Sequence, residues 1–163
     1  MRCRLAALLF ASIGAFASAA DAATGINAFP PDVTQALHAT KSVELYSLEP
    51  WFDPETEETQ WHDVVLLGHV ALSLEDTKLA VAQLETAVRG WDGQNPECFD
   101  PRHAIAVKSG AHSYELVISF DCQSMEVYRD GALVDSLHLT NTPAVFDKLL
   151  KKNNLPLSQS SAD

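Results

Sequence analysis

The chain is poor in positive charge and in cysteine, and beyond its first residues it has no long apolar run. Only 11 lysines and arginines stand against 22 aspartates and glutamates in 163 residues, a net charge of −11. A surface of that sign repels nucleic-acid phosphates and anionic lipid, so neither is expected as a partner; it either favours encounter with a basic protein or serves only to keep a small exported protein soluble. The three cysteines, Cys3, Cys98 and Cys122, are too few and too widely spaced for the paired ligands of a zinc ribbon or finger. There is no G-x-S-x-G elbow, no H-E-x-x-H pair and no D-x-D-x-D-G loop, which removes the sequence signs of a serine hydrolase, a zincin and a calcium loop. No metal and no cofactor is expected.

What the chain does have begins with an export signal. Arg2 and Arg4 precede an apolar run from Leu5 to about Ala17, and small residues follow that offer cleavage after Ala19 or after Ala22. The run is too short to span a bilayer, and Cys3 lies before it, where a lipid anchor would need a cysteine after it. Loss of Arg2, Arg4 and Asp21 would leave the mature chain slightly more acidic still. The organisation expected is a signal peptide over 1–22, a leader and short helix over 23–41, one domain over 42–157 and a disordered tail over 158–163. About 140 residues suffice for one buried core.

Along the domain, hydrophobic periodicity marks the elements. "PDVTQALHATK" allows a helix capped by Asp32, and "SVELYSL" has strand composition. Glu49 to Asp63, with two prolines and a run of acids, reads as a loop. Val64 to Leu74 reads as a central strand with a bulge at Gly68. In "SLEDTKLAVAQLETAVRGW" the residues Leu79, Ala82, Gln83 and Ala87, with Val81, Leu84 and Val88, recur at helical steps, and Gly90 ends the helix. Four strands follow, "HAIAVKS", "SYELVISF", "SMEVYRD" and "ALVDSLHLT", the last two joined by the hairpin signal Asp130-Gly131. Thr142 and Pro143 open a final helix that turns Val145, Phe146, Leu149 and Leu150 inward. This order specifies a single α+β domain: a mostly antiparallel sheet of about five to six strands, helices packed on one face, and one disulfide.

The disulfide follows from register. If "HAIAVKS" pairs with "SYELVISF" across Ser109 to His112, opposed residues sum to 221, and Cys122 faces position 99, one residue from Cys98. A kink at Pro101 supplies the offset. The rival is a metal set of Cys98, His103, Cys122 and His112, which lacks paired-ligand spacing. A bridge closing a loop of this length contributes roughly 3–4 kcal/mol in the chain-entropy model.

Two candidate sites remain. Arg102 and His103 adjoin the cysteine pair and could serve a ligand or a reaction, or could simply pair with Asp100 and Asp121. Trp51, Phe52 and Trp61 bracket Asp53, Glu55, Glu57 and Glu58, an acidic aromatic loop suited to a basic partner, unless the tryptophans tuck onto the core.

At "CFDPRHAI" and "YELVISFDC" the chain resembles a family of small exported bacterial proteins that carry a Cys-Phe-x-Pro-Arg-His signature and a downstream strand ending in two cysteines around Phe-Glu. Cys98, Pro101, Arg102, His103 and Cys122 fall on the motif, but Ser119 stands where the first of those two cysteines would be. The resemblance implies an exported protein with Cys98 and Cys122 as the remaining pair, and it implies no activity. The function expected is a non-enzymatic, exported binding protein, such as an inhibitor or immunity-type protein for a cationic cell-wall hydrolase or toxin. The alternatives are a small-ligand binder or enzyme using Arg102 and His103, and a structural envelope component.

Overall fold

A computed structural model describes residues 27–51, 60–94 and 96–159; the segment expected to be a signal peptide and most of the acidic loop lie outside the described residues. Three helices, α1 (Pro31–Ala39), α2 (Leu74–Arg89) and α3 (Ala144–Lys152), accompany seven strands: β1 (Glu44–Glu49), β2 (Gln60–Trp61), β3 (Val64–Ala71), β4 (His103–Ser109), β5 (His112–Ser119), β6 (Ser124–Arg129) and β7 (Ala132–His138). The strands form one sheet in the order β2-β3-β1-β4-β5-β6-β7, and every pairing is antiparallel.

The α+β class and the single disulfide agree with the sequence reading, but the sheet has seven strands where five to six were expected. The additional strand is β2, taken from a segment read as loop. It pairs Gln60 with Val65 and Trp61 with Val64 around a turn at His62 and Asp63, both at positive φ (53° and 61°). A turn of that handedness usually carries glycine or asparagine. Its absence hid the hairpin.

Alternation divides the sheet into two faces. On one, Leu45, Ile105, Val107, Leu116, Ile118, Met125 and Val127 form a core with Val33 and Leu37 of α1, Ala80, Leu84 and Val88 of α2, and Phe146, Leu149 and Leu150 of α3. On the other, a smaller cluster of Leu48, Val64, Ala104 and Val117 is joined by Tyr46, Trp61, Leu66, Phe99 and Tyr128 and includes no helical residue. In α2 the inward residues are Thr77, Ala80, Val81, Leu84, Ala87 and Val88; Leu79 and Ala82, expected on that face, are exposed.

The caps differ from the expectation at two ends. Pro30 is the N-cap of α1 and Asp32 lies within its first turn, where its carboxylate accepts hydrogen bonds from Tyr114 and Arg129. Pro143 is the N-cap of α3, and the Thr142 hydroxyl donates to the Thr140 carbonyl instead of capping. The α2 start follows the rule: Ser73 Oγ accepts from the Asp76 amide at 3.2 Å.

A bulge at Leu67 of β3 falls between two successive pairs, Ser47 with Gly68 and Leu48 with Leu66. A Cβ on Gly68 would lie 2.9 Å from Leu155 Cδ2, so the glycine admits the segment after α3. That segment is held by Ser47, whose hydroxyl donates to the Pro156 carbonyl, and by Glu49, whose carboxylate accepts from Ser158 Oγ and from the Gln159 amide, both at 3.0 Å. It forms a strap across β1.

Candidate functional site

The β4–β5 register matches the sequence arithmetic, with His103 opposite Ile118 and Ser109 opposite His112. Cys98 and Cys122 are bridged, with Cα atoms 5.4 Å apart. Cys122 is buried in the core and Cys98 is exposed. Regular pairing stops just before Arg102. The Arg102 amide still reaches the Ile118 carbonyl, but the Asp100 amide donates to Ser119 Oγ at 3.0 Å. Ser119 is fully buried. Ser119 thus satisfies a backbone donor of the irregular segment that precedes β4.

His103 is buried at the start of β4, edge-on to Phe120 and Phe146, and its Nε2 meets Asp147 Oδ1 of α3 at 2.9 Å. That contact holds the Asp147 carboxyl below the ordinary carboxylate range, against the opposing effect of burial. Arg102 Nη1 pairs with Asp121 Oδ2 at 2.9 Å, and Arg102 Nε is buried with no hydrogen-bond partner among the described residues. Arg102, His103, Asp100, Asp121 and Asp147, with Leu157 and Ser158 of the strap, line a cavity of about 130 Å³. The two predicted residues therefore share a hollow, but each already has a carboxylate partner within it. Cys98, Asp100 and Cys122 also converge, yet both sulfurs are consumed by the disulfide and are not available as thiolate ligands.

Of the acidic aromatic loop, Trp51 is 64% exposed, while Phe52, Asp53, Glu55, Glu57 and Glu58 lie outside the described residues. Trp61 does tuck back. Its ring stacks on Tyr46 at 4.4 Å between centroids, and the other neighbour of Tyr46 is His69 at 5.3 Å. The next residue, His62, carries the stack across the helix-free face to Tyr128 at 4.0 Å, with its Nε2 at 2.9 Å from Glu115 Oε2. Tyr128 donates to Glu126 Oε2 at 2.6 Å. Burial and, after it, the Glu126 carboxylate raise the Tyr128 phenol far above its ordinary value, so it stays a donor. Burial also raises Tyr46, with Glu44 and Glu115 adding to it.

This second arrangement was largely invisible in the sequence. In "SYELVISF" the conspicuous apolar residues Tyr114, Leu116, Ile118 and Phe120 are those of the buried face, whereas Ser113, Glu115 and Val117, between them, belong to the other one. The available sign was that Tyr46, Glu115, Glu126 and Tyr128 all occupy the alternate positions of their strands. The described groups of this site are carboxylates framed by rings. Comparisons with known proteins add nothing to this geometry: no family model, curated protein or solved structure matches the chain.

Proposed function

We propose that this is an exported binding protein for a basic macromolecule, acting through the helix-free face of its sheet. The observation that carries the reading is the set of carboxylates Glu44, Glu115 and Glu126 gathered on that face around Tyr46, Trp61, His62 and Tyr128. Aromatic anchors surrounded by one sign of charge suit recognition of the opposite sign. The Cys98–Cys122 bridge and the leader-like first residues favour an oxidising, extracytoplasmic setting. Among the described residues no helix is long and apolar enough to cross a membrane. A cationic wall hydrolase or toxin held inactive is the form of partner this surface fits best.

The test is binding and inhibition of a cationic cell-wall lysozyme by the processed protein at low ionic strength. Inhibition that weakens steeply with added salt supports the reading, since surface charge attraction is screened. Inhibition absent at every salt concentration, together with failure to retain any basic protein, overturns it.

Arg102 and His103 support a second reading, a site for a small hydrogen-bond acceptor. The cavity and the unpartnered Arg102 Nε favour it. The pairing of Arg102 with Asp121 and of His103 with Asp147 weakens it, because a ligand would have to displace one of them.

A further inference from the structure

One cross-strand row on the helix-free face is composed unlike the rest. Register places Glu44 of β1 opposite Ala106 of β4, and Ala106 opposite Glu115 of β5. Two carboxylates therefore flank a single methyl group, their Cα atoms about 10 Å apart at the ordinary spacing of strands. Over that low point lies a groove of about 460 Å³, walled by Glu44, Tyr46 and His69 on one side and by Ser113 and Glu115 on the other.

Each carboxylate is already oriented. Glu44 Oε2 meets His69 Nδ1 at 3.1 Å, and Glu115 Oε2 meets His62 Nε2 at 2.9 Å. An imidazole nitrogen in hydrogen-bond contact with a carboxylate oxygen fixes the orientation of that carboxylate. The nearest cation on β4 is Lys108, one step further along the same face and exposed at the mouth of the groove. It makes no ion pair among the described residues. The trough thus has two aligned negative groups, the Tyr46 phenol beside them, small residues beneath and no positive charge between.

We infer that this groove is the docking subsite for a lysine or arginine side chain of the basic partner, with the cationic head over Ala106 between Glu44 and Glu115. This rests on the proposed binding function and specifies where recognition occurs. A guanidinium or ammonium group there makes charge-assisted hydrogen bonds to both carboxylates at once, and its aliphatic stem lies along Tyr46. Lys108 sets an electrostatic threshold at the entrance, so its charge opposes the ligand.

The experiment measures calorimetric binding of the processed protein to the cationic lysozyme and to an extended lysine- and arginine-rich peptide. Variants are Glu44→Gln, Glu115→Gln, Lys108→Glu, and Glu75→Gln on the exposed face of α2 as a charge-matched control. The expected result is a loss of about ten-fold or more for Glu44→Gln and for Glu115→Gln, little change for Glu75→Gln, and tighter binding for Lys108→Glu. The gain in the last variant does not depend on whether the first two fold fully. If the cationic probes bind but Glu44→Gln and Glu115→Gln weaken them no more than Glu75→Gln does, the groove assignment is overturned while the binding function stands. If the unaltered protein binds neither probe, both fail.

Discussion

At the scale of single residues, the informative pair is His103 with Asp147. Asp147 is held below the ordinary carboxylate range by His103, so its contribution to stability is present above the unfolded carboxyl pKa of about 3.9 and is lost as pH falls through its lower folded value. Asp147→Asn should therefore lower the melting temperature at neutral pH and flatten the decline of stability on the acid side. Thermal unfolding followed from neutral pH to below pH 3 checks this, and two parallel curves would contradict it. Arg102 and His103 are legible in the sequence because an arginine and a histidine beside a cysteine and a proline are conspicuous. Asp147 is not, because it lies 44 positions away on a helix whose docking the sequence does not specify. Cys122 was accessible for the opposite reason: a short turn fixes the register of β4 and β5, and counting then brings the sulfurs together. Ser119 shows how local the difficulty can be, since its role depends on the backbone amide of Asp100, in the irregular segment before β4.

Among the elements, strong periodicity and local turn chemistry were legible and long-range docking was not. The Asp130-Gly131 hairpin appears as read, both residues at positive φ (53° and 79°) and Arg129 opposite Ala132. The exposed Leu79 of α2 shows the limit of a helical repeat, which gives a period but leaves the angle of the buried stripe to packing. The strap after α3 was beyond reach because a short irregular segment has no period at all. Its mark on the sheet is Gly68, where any side chain must displace Leu155. Gly68→Ala is expected to destabilise the fold by about 1–3 kcal/mol through overpacking. Combined with Leu155→Ala it should cost less than the sum of the two changes, a coupling measurable by denaturant unfolding. Strict additivity would mean that the two residues do not press on one another.

For the molecule as a whole, the order β2-β3-β1-β4-β5-β6-β7 conceals a division along the chain. Residues 27–89 supply α1, the first three strands and α2, while residues 98–159 supply a four-strand meander, α3 and the Cys98–Cys122 disulfide. The sheet joins them at a single place, where Glu44 to Ser47 pair with His103 to Ala106. Beyond the sheet, Lys152 of α3 meets both Asp76 oxygens on α2, at 2.7 and 2.8 Å, and the Asn27 amide bridges the Val88 and His138 carbonyls. A protease site placed between Gly93 and Gln94 should leave two pieces that co-elute under native conditions and separate only in denaturant. Asp76→Asn should lower the denaturant needed, and pieces that part without denaturant would refute the idea. If the pieces do co-elute, the β1–β4 junction is the seam at which two separate polypeptides complete one sheet, and each could report on the proximity of whatever it is fused to.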